Sequence, residues 1–208
     1  MKTKILFILF LFTLGYSQEP INSEMLVERD GVFLKPYSGP VFSLHEDGSK
    51  KSKGTYKNGL MNGRWEFYFS NGNMSGMGQY KDGKGTDGGD TGIPRHGRHG
   101  KWTFWYESGE VKEKQNWKNE KLDGLYTKWY ENGQKKREGT FKDGKRVGLY
   151  TSWFENEQKS SERTYKDGKL DGLWTRWYEN GQKKWEYTYK DGDVISSKKW
   201  NRDGSVKK

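Results

Sequence analysis

A glycine that opens an aromatic strand recurs at Gly39, Gly63, Gly100, Gly124, Gly148 and Gly172. Four of the five spacings are 24 residues, and the remaining one, 37, is 24 plus an insertion placed at Gly85–Gly97 (GTDGGDTGIPRHG). A fixed period of this length constrains the fold more than any other property of the chain. Each unit is too small to bury a core alone and must stack on its neighbours. Two units read GLYTKWYENGQKKREGTFKDGKRV and GLWTRWYENGQKKWEYTYKDGDVI.

Every unit carries two turn signals. One set is Asp47-Gly48, Asn71-Gly72, Ser108-Gly109, Asn132-Gly133 and Asn180-Gly181. The other is Asn58-Gly59, Asp82-Gly83, Asp143-Gly144, Asp167-Gly168 and Asp191-Gly192. Asn-Gly and Asp-Gly supply the positive φ that tight hairpins need. The segments between them have the length of short strands and require no helix. The expected fold is all-β: an elongated, single-layer antiparallel meander of about six 24-residue β-hairpin repeats, with irregular caps at both ends.

Alternation sorts the strand residues by face. Trp102, Tyr126, Tyr150 and Trp174 share one face with Tyr106, Tyr130, Phe154 and Tyr178. Thr103, Thr127, Thr151 and Thr175 share the other with Trp105, Trp129, Trp153 and Trp177. The returning strands end in Tyr56, Tyr80, Trp117, Phe141, Tyr165 and Tyr189. Both faces therefore receive a lengthwise row of aromatics. Trp105, Trp129, Trp153, Trp177, Tyr130 and Tyr178 are read as the glue between repeats, with a ligand-stacking platform as the alternative.

Composition alone would suggest disorder, because the net charge is +10 and Leu, Ile, Val and Phe are sparse. The apolar mass sits instead in ten Trp and thirteen Tyr at fixed spacing. There is no Cys, so disulfides, thiolate metal sites and a cysteine nucleophile are excluded.

The pattern G-x-[WY]-x-x-W-[YF]-x-x-G, followed by an aromatic-KDG turn, resembles the MORN-repeat-variant family from about Gly39 to the C-terminus. The chain departs from it at Glu120 and Glu157, where a turn glycine is missing, and at the insertion. The resemblance implies an elongated β-hairpin array used for binding or scaffolding. Many bacterial members are labelled YwqK-type toxin–antitoxin antitoxins, and eukaryotic relatives are associated with membrane lipids and protein assembly.

Lys2 and Lys4 precede the apolar run Ile5–Leu14, and Gly15-Tyr16-Ser17 offers small residues at a cleavage site before Gln18. This is the form of a secretory signal peptide. The organisation expected is a signal peptide at 1–17, a cap segment at 18–38, the array at 39–192 and a capping partial repeat at 193–208. Removing the signal lowers the net charge from +10 to +8 and leaves no transmembrane segment. The mature chain is expected in the periplasm, on the outer surface or secreted.

No catalytic constellation, cofactor motif or metal-ligand set is singled out, so the chain is read as a non-enzyme. Lys118, Lys142, Lys166 and Lys190 precede the KDG-type turns, and Lys145 and Lys169 follow them. They form a row at ~10 Å along one long edge, while Glu107, Glu131, Glu155 and Glu179 mark the other. Such a row keeps the array soluble and unpaired, or docks an anionic lipid or glycan. The insertion and its flank hold Asp87, Asp90, His96 and His99. They are read as a glycine-rich surface loop and a candidate specificity element, with metal binding as an alternative. The leading function is a protein-binding scaffold of the envelope or secreted space. An antitoxin-like role and the basic edge are the alternatives, and export argues against nucleic acid. Intact-mass measurement on native material is expected to give a chain beginning at or near Gln18. A chain retaining Met1 in the soluble cytoplasm would remove the export reading and revive the antitoxin one.

Overall fold

The computed structural model describes residues 19–22, 36–85, 88 and 91–207. Among them lie fifteen strands: β1 (Ile21–Asn22), β2 (Gly39–Leu44), β3 (Lys50–Lys57), β4 (Leu60–Tyr68), β5 (Met74–Gly83), β6 (Arg98–Trp105), β7 (Val111–Lys118), β8 (Lys121–Leu122), β9 (Gly124–Trp129), β10 (Lys135–Lys142), β11 (Lys145–Trp153), β12 (Lys159–Lys166), β13 (Lys169–Trp177), β14 (Lys183–Lys190) and β15 (Asp193–Lys199). They form one open sheet in chain order, with β8 branching off to pair β7. Every pairing from β2 onward is antiparallel. The sheet is mixed only because β1 pairs β2 in parallel, Ile21 with Val41 and Asn22 with Phe42. The array of hairpins expected from the 24-residue period is thus what the chain forms.

A single-layer sheet must build its core from side chains lying along its own surface. On one face Trp65, Phe67, Tyr80, Trp102 and Phe104 are buried with Val41, Met61 and Ile93. Tyr80 meets Trp102 edge-on with ring centroids 4.9 Å apart, and Trp102 stacks with Phe104 at 5.7 Å. The indoles need bare backbone beneath them. A β-carbon at Gly54 or Gly78 would fall 2.1 Å from the ring of Trp65 or Trp102. The row continues as Tyr126, Phe141, Tyr150 and Tyr165 in contact, then as Trp174, Trp185, Tyr187 and Tyr189.

The two turn sets differ in kind. The KDG-type turns at Asn58-Gly59, Asp143-Gly144, Asp167-Gly168 and Asp191-Gly192 place both central residues at positive φ, as in Asp143 (48°) and Gly144 (80°), the type I′ geometry of a two-residue hairpin. The turn expected at Asp82-Gly83 is instead the end of β5, where Gly83 pairs with Met61 and the insertion follows. In the other set only the glycine is left-handed. The Gly72 N–H donates to the Phe69 carbonyl at 3.0 Å and the Phe69 N–H to the Asn73 carbonyl at 2.8 Å, which is a three-residue loop with a bulge. The preceding Asn or Asp serves through its side chain: Asn71 Oδ1 accepts from the Asn73 N–H, and Asn132, Asn156 and Asn180 repeat the bond. Expecting one turn chemistry in both sets therefore overlooked the side-chain bond that stabilises a non-left-handed Asn.

The strand ends also correct the face assignment. Strict alternation would put Tyr130 and Tyr178 in the core row, but β9 and β13 stop one residue earlier. Their hydroxyls reach across instead, donating to the carbonyls of Trp153 at 2.8 Å and Trp200 at 3.2 Å, as Tyr106 does to Trp129 at 2.7 Å.

Glu157 occupies the bulge position held by glycine in the other repeats, with φ of 65°. A side chain there costs on the order of 1 kcal/mol, partly offset because glycine enlarges the unfolded ensemble. Glu157→Gly is expected to stabilise by several tenths up to about 1 kcal/mol. Gly133→Glu, at φ of 83° with open space around it, should destabilise by a similar amount. Denaturant melts check both; destabilisation by Glu157→Gly with a neutral Gly133→Glu contradicts the assignment.

Candidate functional site

The face opposite the aromatic core is a lattice that repeats every two strands. Its margin carries Leu125, Leu149 and Leu173, each about half exposed at 52%, 53% and 50%. Next comes a row in which register alternates Thr127, Glu138, Thr151, Glu162, Thr175 and Glu186. The third row alternates tryptophan with lysine. Lys114 lies over the Trp129 ring at 5.6 Å, Lys135 over Trp153 at 5.7 Å, Lys159 over Trp177 at 6.0 Å and Lys183 over Trp200 at 5.5 Å. The partners of these indoles are therefore ammonium groups, and among the described residues no ring pair joins Trp105, Trp129, Trp153 and Trp177. Lys135, Lys159 and Lys183 also pair with Glu138, Glu162 and Glu186. The lattice is thus nearly neutral, with leucine as its exposed apolar element.

The lysine edge is built by the type I′ turns. Lys118 faces Lys121, Lys142 faces Lys145 and Lys166 faces Lys169 across their hairpins, while Lys190 faces Asp193. All six candidate lysines of this edge are exposed. Successive turns interlock. The N–H groups of Gly144, Gly168 and Gly192 donate to carbonyls of Leu122, Arg146 and Leu170 in the preceding turn. Asp123 and Asp171 accept from the N–H groups of Asp143 and Asp191. Asp171 also binds Lys190 at 3.1 Å, which holds its carboxyl below the usual range and raises the ammonium. One lysine of the row is thus already partnered.

The insertion divides in two. Asp87 and Asp90 lie outside the described residues. The second half packs down: Ile93 is buried against Gly76, and Tyr80 and Arg98 donate to the Pro94 carbonyl at 2.6 and 2.9 Å. Arg98 is only 3% exposed. Its guanidinium lies 4.7 Å from the Trp102 ring, and it donates to the Ile93 carbonyl at 2.7 Å. Burial lowers its pKa. This half of the loop belongs to the core. His96 Nδ1 faces the Lys84 N–H at 3.3 Å and Nε2 faces Glu120 at 3.4 Å. That leaves Nδ1 as acceptor and Nε2 as donor, so the imidazole latches the insertion to the next turn. His99 is exposed in β6 opposite Gln79. Among the described residues no group of three His, Cys, Asp or Glu is arranged to hold a metal.

Six segments match the MORN repeat variant model: residues 37–58, 61–82, 98–119, 122–143, 146–167 and 170–191. Together they span more than half of the chain. The chain belongs to the MORN repeat variant family. No curated protein matches it. Within the MORN repeat variant units, the interruption between 82 and 98 is where the buried half of the insertion enters the core.

The leucine row was missed in sequence although its signal was present. It occupies the variable position of G-x-[WY], which is Arg64 and Lys101 in two earlier repeats and Leu in the last three. Arg98 offered no comparable signal, because its burial depends on the insertion folding back.

Glu186 carries a lowered pKa, held down first by Lys183 and further by Thr175. A depressed carboxyl contributes stability that is full above its unfolded value near 4.5 and is lost as pH falls through the lowered folded value. Glu186→Gln is therefore expected to flatten the acid limb of the stability curve below about pH 4.5. Thermal melts from pH 7 to 3 check it; an unchanged acid limb contradicts the ion-pair reading.

Proposed function

We propose that the array is a non-catalytic scaffold of the cell envelope or secreted space that binds a protein through the leucine face. The observation that carries this reading is the exposed row Leu125, Leu149 and Leu173 in repeats that otherwise present a neutral lattice. Consecutive leucines are two strands apart, which sets them at ~10 Å. The matching partner is a protein surface presenting apolar side chains at the same interval. Membership of the MORN repeat variant family supports a repeat-based binding module at this coarser level. The signal-peptide pattern supports the compartment.

A second reading has its own observation, the exposed lysine edge. It would bind an anionic lipid head group or glycan. The two differ in salt response, because apolar docking persists when exposed charges are screened and polyanion docking does not.

The partner can be isolated by crosslinking the chain in envelope extract, then measured as a purified pair. Leu125→Ser, Leu149→Ser and Leu173→Ser together are expected to weaken that pair at least tenfold at every salt concentration. Each buried leucine is worth about 1.5–3 kcal/mol. Replacing Lys142, Lys145, Lys166 and Lys169 with Gln should leave it unchanged. Loss in the lysine variant alone, with a shallower salt dependence, overturns the leucine reading in favour of the basic edge. A toxin as the crosslinked protein would identify the antitoxin-like role.

A further inference from the structure

The first hairpin breaks the lattice of the leucine-bearing face. Where β9 places Leu125, Thr127 and Trp129, β2 places Pro40, Phe42 and Leu44. Phe42 pairs in register with Lys53, and Lys53 with Glu66. With Pro20 these residues line a groove of about 520 Å³, within the usual range of small-molecule sites at roughly 300–1,000 Å³. Its floor is apolar. Its rim carries Lys50, Lys53 and Arg64, all exposed. Among the described residues the single acid lining it is Glu66, already bonded to Lys53 at 2.8 Å, Arg64 at 3.0 Å and the Tyr68 hydroxyl at 2.5 Å. Three cations against one engaged carboxylate leave a positive surplus beside an apolar floor.

We propose that this groove binds a long-chain carboxylate, with hydrocarbon along Pro40, Phe42 and Leu44 and the carboxylate at the cationic rim. The rim sets the sign of the head group. The backbone sets the nature of the tail. The strand forming the floor is paired to β3 on one side and, at Val41 and Phe42, to β1 on the other. A peptide laid on the floor would leave its own amides unpaired over apolar side chains, whereas a hydrocarbon chain has no such groups. The site is separate from the leucine row, because Arg64 and Lys101 occupy the intervening row positions.

Calorimetric titration of the purified chain with sodium dodecanoate below its micelle concentration tests the site. One equivalent is expected to bind. Affinity should rise from octanoate to dodecanoate by up to about fourfold per methylene. Dodecyltrimethylammonium, with the same tail and opposite charge, should not compete. Lys50→Gln with Arg64→Gln, both on the exposed rim, should weaken binding by roughly two- to fivefold per cation without changing the melting temperature. Phe42→Ser should abolish binding, and Leu44→Ser serves if Phe42→Ser does not fold. Absence of dodecanoate binding, equal binding of the ammonium amphiphile, or affinity unchanged by the rim and floor variants would each overturn the proposal. Competition by an acidic peptide lacking a hydrocarbon tail would assign the groove to a protein segment instead.

Discussion

An indole lying flat on a strand that has no side chain is the contact on which this array depends. Among the described residues no second layer covers the sheet apart from the folded-back half of the insertion at Ile93, so most burial is found within one layer. A tryptophan carries enough surface to do this, but only if the facing residue gives it room. Gly54 and Gly78 give that room to Trp65 and Trp102, and Gly139 gives it to Tyr150, whose ring would meet a β-carbon at 2.3 Å. The same lattice site is held by Arg163 and Tyr187 further along. There the solution changes. The Arg163 guanidinium stacks over Trp174 at 4.5 Å, and its buried Nε has no hydrogen-bond partner among the described residues. The deeply buried cluster accordingly lies in the N-terminal repeats, and the C-terminal ones lean on cation–π contacts and half-buried rings.

Contacts that join repeats are mostly polar and lie at the two long edges. At one edge the type I′ turns at Gly144, Gly168 and Gly192 each donate to the turn before. At the other, Asn71, Asn156 and Asn180 donate to carbonyls of Glu107, Glu179 and Arg202 in the following unit. Tyr106, Tyr130 and Tyr178 add hydroxyl bonds of the same reach. A net contribution of about 1 kcal/mol for each such bond is small alone. Summed over both edges it makes neighbouring units cooperative, as expected where stability is set by nearest-neighbour interfaces.

The period, the strand count per unit and the turn positions other than Asp82-Gly83 were legible because they are local: glycine, aromatic and Asn/Asp-Gly signals act within a few residues. What the sequence could not display is what depends on a partner strand. The Trp129 row reads as a stack of rings, yet lysines from neighbouring strands fill the gaps between the indoles, because register pairs Lys135 with Trp129, Lys159 with Trp153 and Lys183 with Trp177. The insertion reads as a surface loop by its glycines, yet Ile93 finds the space above Gly76 that a side chain in β5 would have taken. Bulges such as the one between Gly139 and Thr140 shift register without leaving a mark in composition. His96 was singled out for ligand chemistry, and its two ring nitrogens are satisfied by Lys84 and Glu120. Leu125, Leu149 and Leu173 were visible as a repeat within a repeat, but their significance required knowing that the face opposite the core is otherwise neutral.

The lattice also explains how one fold can hold unlike surfaces without conflict. The position two residues before each core-opposed threonine is Leu in the last three repeats, Lys101 in the repeat before them and Arg64, aligned with Glu66, further back. The backbone scarcely registers these exchanges, because the side chains point away from the aromatic row. Chemistry on the outer face can therefore vary one repeat at a time, whereas Gly54 or Gly78 cannot vary without displacing an indole. The two faces are under opposite constraints: steric on the core side and chemical on the outer side. A row such as Leu125, Leu149 and Leu173, kept uniform where the fold does not require it, is for that reason a stronger indication of binding than any residue of the core.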